Sequence, residues 1–171
     1  MSSDKRSKPS NSNTPLFVDT SQSVLSEWMD YNKHMNIIHY QRVFERAMGH
    51  VCAELSIGSE MMVATGVSLF TGEQHIVFKR ELFAGDQLRI ETQLIDLDER
   101  KSHWFQTMFN ERKNYVASTC EHLILFVDTK VRRVTKAPAE VLQKLERILE
   151  LHRKLPMPDD VGRRINLDPV S

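Results

Sequence analysis

Trp28-Met29-Asp30-Tyr31-Asn32-Lys33-His34-Met35-Asn36-Ile37-Ile38-His39-Tyr40 decides the reading of this chain. Asp30, Asn32, His34 and Asn36 alternate through its centre, directly ahead of a helical pattern. From Ile37 the apolar residues Ile37, Tyr40, Phe44, Ala47, Val51 and Leu55 recur in steps of three and four, one face of an amphipathic helix. Asn36 suits the N-cap, because its side-chain oxygen can accept from a free N–H of the first turn. The polar cluster therefore sits in a loop against a helix start, where orphan N–H groups and the macrodipole favour negative charge. A carboxylate, a histidine, amides and a helix end able to face an oxyanion in one place have the makings of an active site.

Outward from this helix, which Gly58 is expected to stop near Leu55, the period changes. Phe17 to Trp28 predicts a first strand near 22–28. Met62 to Phe70 and Gln74 to Phe83 read as two β-strands broken at Thr71-Gly72, followed by a turn at Ala84-Gly85-Asp86. Leu88 to Leu94 alternates as a half-buried strand, residues 102–110 form the next, and Tyr115 to Asp128 is long enough to require curvature or a bulge. Short turns favour antiparallel neighbours, so a single helix across one face of a curved sheet is the simplest packing. Pro138 opens a C-terminal helix with Val141, Leu142, Leu145, Ile148 and Leu149 as its apolar stripe. Pro156 and Pro158 end it, ahead of an extended strap. The strands over residues 102–127 are apolar on both faces; one helix covers one face, and a second subunit is expected on the other.

Composition bounds the function. A chain of 171 residues suits one domain, and its 23 Lys and Arg balance 23 Asp and Glu. No global field therefore draws it to nucleic acid or to an acidic membrane surface. Residues 1–15 have almost nothing to bury and predict a disordered tail, leaving 16–171 as a single domain. Cys52 and Cys120 lack metal-site or CxxC spacing, consistent with reduced thiols in a cytoplasmic protein. No apolar run approaches a membrane span, and no secretion signal is evident. His34 and His39 are off the spacing of a helical zinc pair, Gly66-Val67-Ser68 lacks the remainder of a nucleophile elbow, and there is no Gly-rich phosphate loop.

Asp-x-x-x-His-Met-Asn with Tyr four residues on resembles the Asp-x-x-Gly-His-Val-Asn-Asn-x-x-Tyr signature of hotdog-fold acyl-CoA thioesterases of the 4-hydroxybenzoyl-CoA thioesterase type. Asp30 falls on that family's catalytic aspartate, and His34, Asn36 and Tyr40 fall on motif positions. Lys33 stands where the family has glycine, and Ile37 where it has a second asparagine. Trp28-Met29-Asp30-Tyr31-Asn32 is similar to the branch acting on betainyl-CoA, also found fused behind L-carnitine dehydrogenase. Gly85-Asp86-Gln87-Leu88, Leu125-Phe126-Val127-Asp128, Leu155-Pro156-x-Pro158 and Gly162-Arg163 extend the resemblance to residues 18–167. It implies an α+β hotdog fold of five to six antiparallel strands around one long helix.

The same resemblance implies thioester hydrolysis, with coenzyme A as part of the substrate and no resident cofactor or metal. It pairs Asp30 with the backbone N–H near Ile37. A carboxylate can attack the thioester carbonyl or deprotonate water, and the N–H groups of a helix start can meet the oxyanion. His34 orients substrate or holds the loop, Asn36 caps, and Tyr40 packs from the inward helix face. Trp28, Tyr31, Tyr40, Phe70 and Trp104 are candidate substrate contacts, an aromatic cage for a quaternary ammonium among the options. Arg132 and Arg133 are candidates for the phosphates of coenzyme A, and Glu73 is a second carboxylate in reserve. The expected assembly is a homodimer or a dimer of dimers. The competing reading is a non-catalytic hotdog domain that binds acyl-CoA or a protein partner, raised by Lys33 in place of glycine.

Overall fold

The computed structural model describes residues 15–165 and 167, so the tail expected over 1–15 lies outside the described residues except for Pro15. Strand β1 (Phe17–Asp19) is followed by a 3-10 turn, Ser26–Trp28, and by the central helix α1 (Ile37–Leu55). Helix α2 (Ser59–Thr65) leads into β2 (Val67–Phe78), β3 (Leu88–Leu97), β4 (Lys101–Asn110), β5 (Tyr115–Asp128), β6 (Arg133–Val134) and helix α3 (Ala139–His152). The sheet is antiparallel in the order β1-β3-β4-β5-β2, with β6 on the end of β5. This is the expected α+β hotdog architecture.

Helix α1 begins where its cap predicts: Asn36 Oδ1 accepts from the Ile38 N–H at 3.1 Å. It ends at Leu55, but Ser56 in the left-handed region (φ 54°) terminates it, while Gly58 caps α2 instead. Its inward face is shared between two parts of the core. Val43, Phe44 and Ala47 pack with Leu88, Ile90, Met108 and Cys120. Met48, Val51 and Leu55 pack with Leu94, Trp104, Ile124 and Phe126, where α3 adds Val141, Leu145 and Leu149.

Three local expectations are corrected. The first strand is Phe17–Asp19 rather than 22–28, because only Phe17 to Asp19 pair with β3; Ser23 makes a single bridge to Gln87. The strand expected from Met62 begins at Val67, because Met62 to Thr65 belong to helix α2 (Ser59–Thr65). Thr71-Gly72 does not break the chain into two strands: β2 runs through it with one irregularity. A Cβ at Gly72 would lie 2.9 Å from Leu125 Cδ1, so a larger residue there requires the Leu125 side chain to shift. The strand stops at Phe78, where the Lys79 and Arg80 N–H groups both donate to Ala117 O. The bulge expected in the long strand is at Ala117, where the β4–β5 register shifts.

The outer face of the sheet is partly covered by the chain itself. Phe105, between Gln93 and Glu121 in register, is 2 % exposed. The segment after α3 crosses this face: Gln93 Nε2 donates to Pro156 O, Thr119 Oγ1 and Lys79 Nζ meet Asp160 Oδ2, and the Gly162 N–H donates to Glu121. The expected strap is thus anchored by polar pairs, of which Thr119–Asp160 is buried, and it covers part of the surface that the two-faced strand pattern assigns to a second subunit. Among the described residues no helix is long and apolar enough to cross a membrane.

Candidate active site

Residues 28–36 form a tight hairpin ahead of α1. The Asn36 N–H donates to Trp28 O at 2.9 Å, the Asp30 N–H donates to His34 O at 3.1 Å, and the Lys33 N–H closes a turn on Asp30 O at 3.0 Å. Lys33 has φ 63°. A turn followed by one left-handed residue joins hairpin arms with a bulge, and glycine is favoured at that position because it has no Cβ. Lys33 adopts the conformation for which glycine would be chosen, so its presence leaves the loop geometry intact.

The loop positions Asp30 through its own backbone. Asp30 Oδ1 accepts from the Asn32 N–H at 2.8 Å, an Asx turn that fixes the carboxylate. Oδ2 has no partner among the described residues and stays available. At the start of α1 the Ile38 N–H is taken by Asn36 Oδ1 and the His39 N–H by Asn36 O. The Ile37 N–H is left as an orphan donor of the first turn, on a residue that is 60 % exposed. One anchored carboxylate and one open helix N-terminus flank the same short loop.

His34 is half-buried. Its Nδ1 donates to Met35 O at 3.3 Å and its Nε2 lies 3.9 Å from Glu81 Oε1. The loop is held to residue 82 by Met35 N–H to Leu82 O, 2.8 Å. Tyr40 is buried, edge-on to Phe78, with its phenol against the Leu82 backbone; burial pushes its pKa up to about 12, so it remains a neutral hydroxyl. His39, stacked on Trp28 at 5.0 Å, is held below the ordinary histidine range by burial and by Arg42. Its Nδ1 is buried without a partner, which favours leaving that nitrogen unprotonated.

The aromatic candidates do not converge within one chain. Trp28 is 7 % exposed with one face against His39, whereas Tyr31 projects at 91 %. Trp104 is 1 % exposed in the other part of the core, and its indole N–H donates to Ser102. Phe70 lies eight residues from Phe78 along β2, ~27 Å at ~3.4 Å per residue. Arg132 stands over Phe70, 5.2 Å from its centroid, at that distant end. Arg132 and Arg133 do not end the long strand as expected: β5 stops at Asp128, a turn carries Arg132 (φ 57°), and Arg133 belongs to β6.

Glu73 also lies apart from Asp30. It lines a cleft of about 790 Å³ with His75, Lys101, His103, Glu121 and Arg163, and none of residues 28–40 reaches it. Burial raises both thiols, Cys52 to about 11 and Cys120 further, so neither is a thiolate nucleophile at neutral pH.

Two features escaped the sequence. Glu81 falls within the strand expected over Gln74 to Phe83, yet its side chain meets the motif histidine. Gln74, His122, Gln106 and Thr92 form a hydrogen-bonded chain inside the sheet (3.2, 2.8 and 3.0 Å), in which burial pushes His122 down to about 4. Alternation marks only which face such residues occupy; their partners lie on other strands.

Comparison with known proteins identifies the family and the fold. Residues 24–145 match the thioesterase-like superfamily. The betainyl-CoA thioesterase of Pseudomonas aeruginosa is 35% identical over 147 residues, which is 86% of this chain and 92% of that protein. An L-carnitine dehydrogenase/betainyl-CoA thioesterase of Rhizobium meliloti is 34% identical over 160 residues, 93% of this chain but only 32% of that longer protein. Among solved structures, a Staphylococcus aureus protein in complex with CoA superposes with TM-score 0.81 at 26% identity, covering 93% of this chain and all of that one. The DHNA-CoA thioesterase of Staphylococcus aureus has the same fold, with TM-score 0.73 at 14% identity over 81% of this chain and 94% of its own. Both the motif loop and most of the sheet fall within the matched residues, and the chain belongs to the thioesterase-like superfamily, as a hydrolase of thioesters.

Proposed function

We propose that this protein hydrolyses a short polar acyl-CoA, with betainyl-CoA as the leading substrate, through the carboxylate of Asp30. The observation that carries the reading is the pairing of an anchored Asp30, with Oδ2 open, and the orphan Ile37 N–H at the start of α1. Coenzyme A belongs to the substrate, and the reaction calls on no resident cofactor. The betainyl group is supported by the names of the relatives that match over most of this chain.

The chemistry follows from the loop. Asp30 either attacks the thioester carbonyl, giving a mixed anhydride that water then opens, or removes a proton from the water that attacks. On both routes the carbonyl oxygen gains negative charge, which the Ile37 N–H and the helix macrodipole stabilise. Coenzyme A leaves as the thiol and the acyl group as the acid. His34 holds the loop through Met35 O, and Asn36 fixes the helix start; neither transfers a proton. Arg132 and Arg133 remain the proposed contacts for the coenzyme phosphates, across a subunit boundary.

Free-thiol release from a panel of acyl-CoA esters tests the activity, with Asp30→Asn as the paired variant. Asparagine keeps the shape and accepts the Asn32 N–H, but it supplies neither a nucleophilic carboxylate nor a base. Turnover is expected to fall at least ~100-fold, the low end of what acid–base catalysis contributes. A folded Asp30→Asn protein with the parent rate would return Asp30 to a purely capping role, and Glu73 would be tested next.

A further inference from the structure

We infer that Glu81 is a specificity-determining residue for the cationic acyl group; the inference rests on the betainyl-CoA reading above. A betainyl thioester carries a permanent positive charge one methylene from the carbonyl that Asp30 and the Ile37 N–H address. The helix start repels that charge, since its own partial charge is positive. Asp30 offsets that repulsion at the carbonyl, and a second carboxylate close to the loop would add to the preference for a cationic acyl group.

The aromatic candidates form no enclosed cage within one chain: His39 covers one face of Trp28, Tyr40 is buried, Trp104 is enclosed in the other part of the core, Phe70 stands at the far end of β2, and Tyr31, next to Asp30, projects at 91 % exposure. A carboxylate lies beside the loop. Glu81 Oε1 lies 3.9 Å from His34 Nε2, so it borders a motif side chain. Its position is built into the fold: Met35 N–H binds Leu82 O on one side, and Tyr115 Oη donates to Glu81 O at 2.7 Å on the other.

The charge is also unspent. No lysine or arginine among the described residues pairs with Glu81. Arg80, its neighbour in sequence, lies over the Tyr115 ring, 5.2 Å from the centroid, and Lys113 pairs with Asp86 at 3.3 Å. At 64 % side-chain exposure Glu81 faces solvent, where an arriving substrate can meet it. An anion beside the motif histidine, with Arg80 and Lys113 engaged elsewhere, favours an acyl group that brings its own positive charge.

The test compares kcat/KM for betainyl-CoA and butyryl-CoA in the parent, Glu81→Gln and Glu81→Lys, in the full chain. The betainyl-to-butyryl ratio is expected to fall at least ~5-fold in Glu81→Gln, about what one unit-charge contact near 4 Å supplies even at the dielectric of bulk water. Glu81→Lys lowers the ratio further, and added salt erodes the preference of the parent. A parent without preference for betainyl-CoA overturns the substrate reading and the role of Glu81 with it. A parent with the preference, and variants that retain it, overturns Glu81 alone. Equal losses on both esters would overturn it too, because they would show Glu81 acting only through the placement of His34.

Discussion

Lys33 shows how much chemistry a single backbone angle carries. The motif of the family has glycine at this position, and here a lysine takes the same left-handed turn (φ 63°). For an L-residue that conformation costs ~1–2 kcal/mol, whereas glycine adopts it without a Cβ clash but loses more chain entropy on folding. Lys33→Gly is therefore expected to stabilise the protein by ~0.5–1 kcal/mol, a rise of ~2 °C in Tm for a chain of this size. Thermal unfolding followed by circular dichroism measures it. A lower Tm would mean that the lysine side chain contributes contacts worth more than the strain. The catalytic significance is that the loop keeps Asp30 and the Asn32 N–H together without the glycine, so the substitution gives no ground for a non-catalytic reading.

At the scale of elements, the sheet is joined internally by polar chains that set a pH limit on stability. His122 on β5 lies between Gln74 on β2 and Gln106 on β4, with the Gln106 amide bonded to Thr92 on β3. His152, at the end of α3, accepts the Leu94 N–H on Nδ1 at 2.8 Å, just beyond the point where β1 stops pairing with β3, and donates from Nε2 to Pro15 O. Both histidines are buried and both are held below their ordinary pKa chiefly by burial, His122 at about 4. The folded state thus resists a proton that the unfolded chain accepts near pH ~6.5. Stability from these groups is present above ~6.5 and is lost as pH falls toward the folded values. From about pH 7 to about pH 5, His122 alone is expected to cost ~2 kcal/mol. Urea midpoints across that range, in the parent and in His122→Gln, measure it; an unchanged pH dependence in the variant would remove His122 from the account.

On the whole-molecule scale the sheet has two edges, treated differently. The β1 edge is three residues long and is continued by the His152 ring. The β2 edge is twelve residues long and unpaired among the described residues. Long open edges invite pairing with another chain. Phe78, at the end of this edge, is 43 % exposed and edge-on to Tyr40 of α1, whose first turn exposes Ile37 at 60 % and Ile38 at 66 %. Two-fold pairing of β2 brings the Phe70 end of one protomer beside the Phe78 end of the other, which would carry Arg132 toward the neighbouring Asp30 loop. Light scattering at micromolar concentration is expected to return at least twice the 19.9 kDa chain mass. A monomer would reject this pairing and leave Arg132 and Arg133 as surface charge.

What the sequence determined by itself is local. The cap at Asn36, the limits of α1, the turn at Gly85 and the antiparallel order of the late strands follow from spacing and near-neighbour hydrogen bonds, which are written in adjacent residues. Asp30 could be singled out for the same reason, since the stretch around it is contiguous. The tertiary structure alone decided which distant residues meet. Glu81 reaches His34 because Met35 binds Leu82 across forty-six residues of chain. Trp104 is withdrawn from the loop because strand register seats it beside α3. The outer face is partly covered by the segment after α3, through Asp160 on Lys79 and Glu121 on Gly162. Hydrophobic period assigns each residue a face, but it does not say what the opposite surface is made of; register and long-range hydrogen bonds settle that, and both form only when the whole chain is folded.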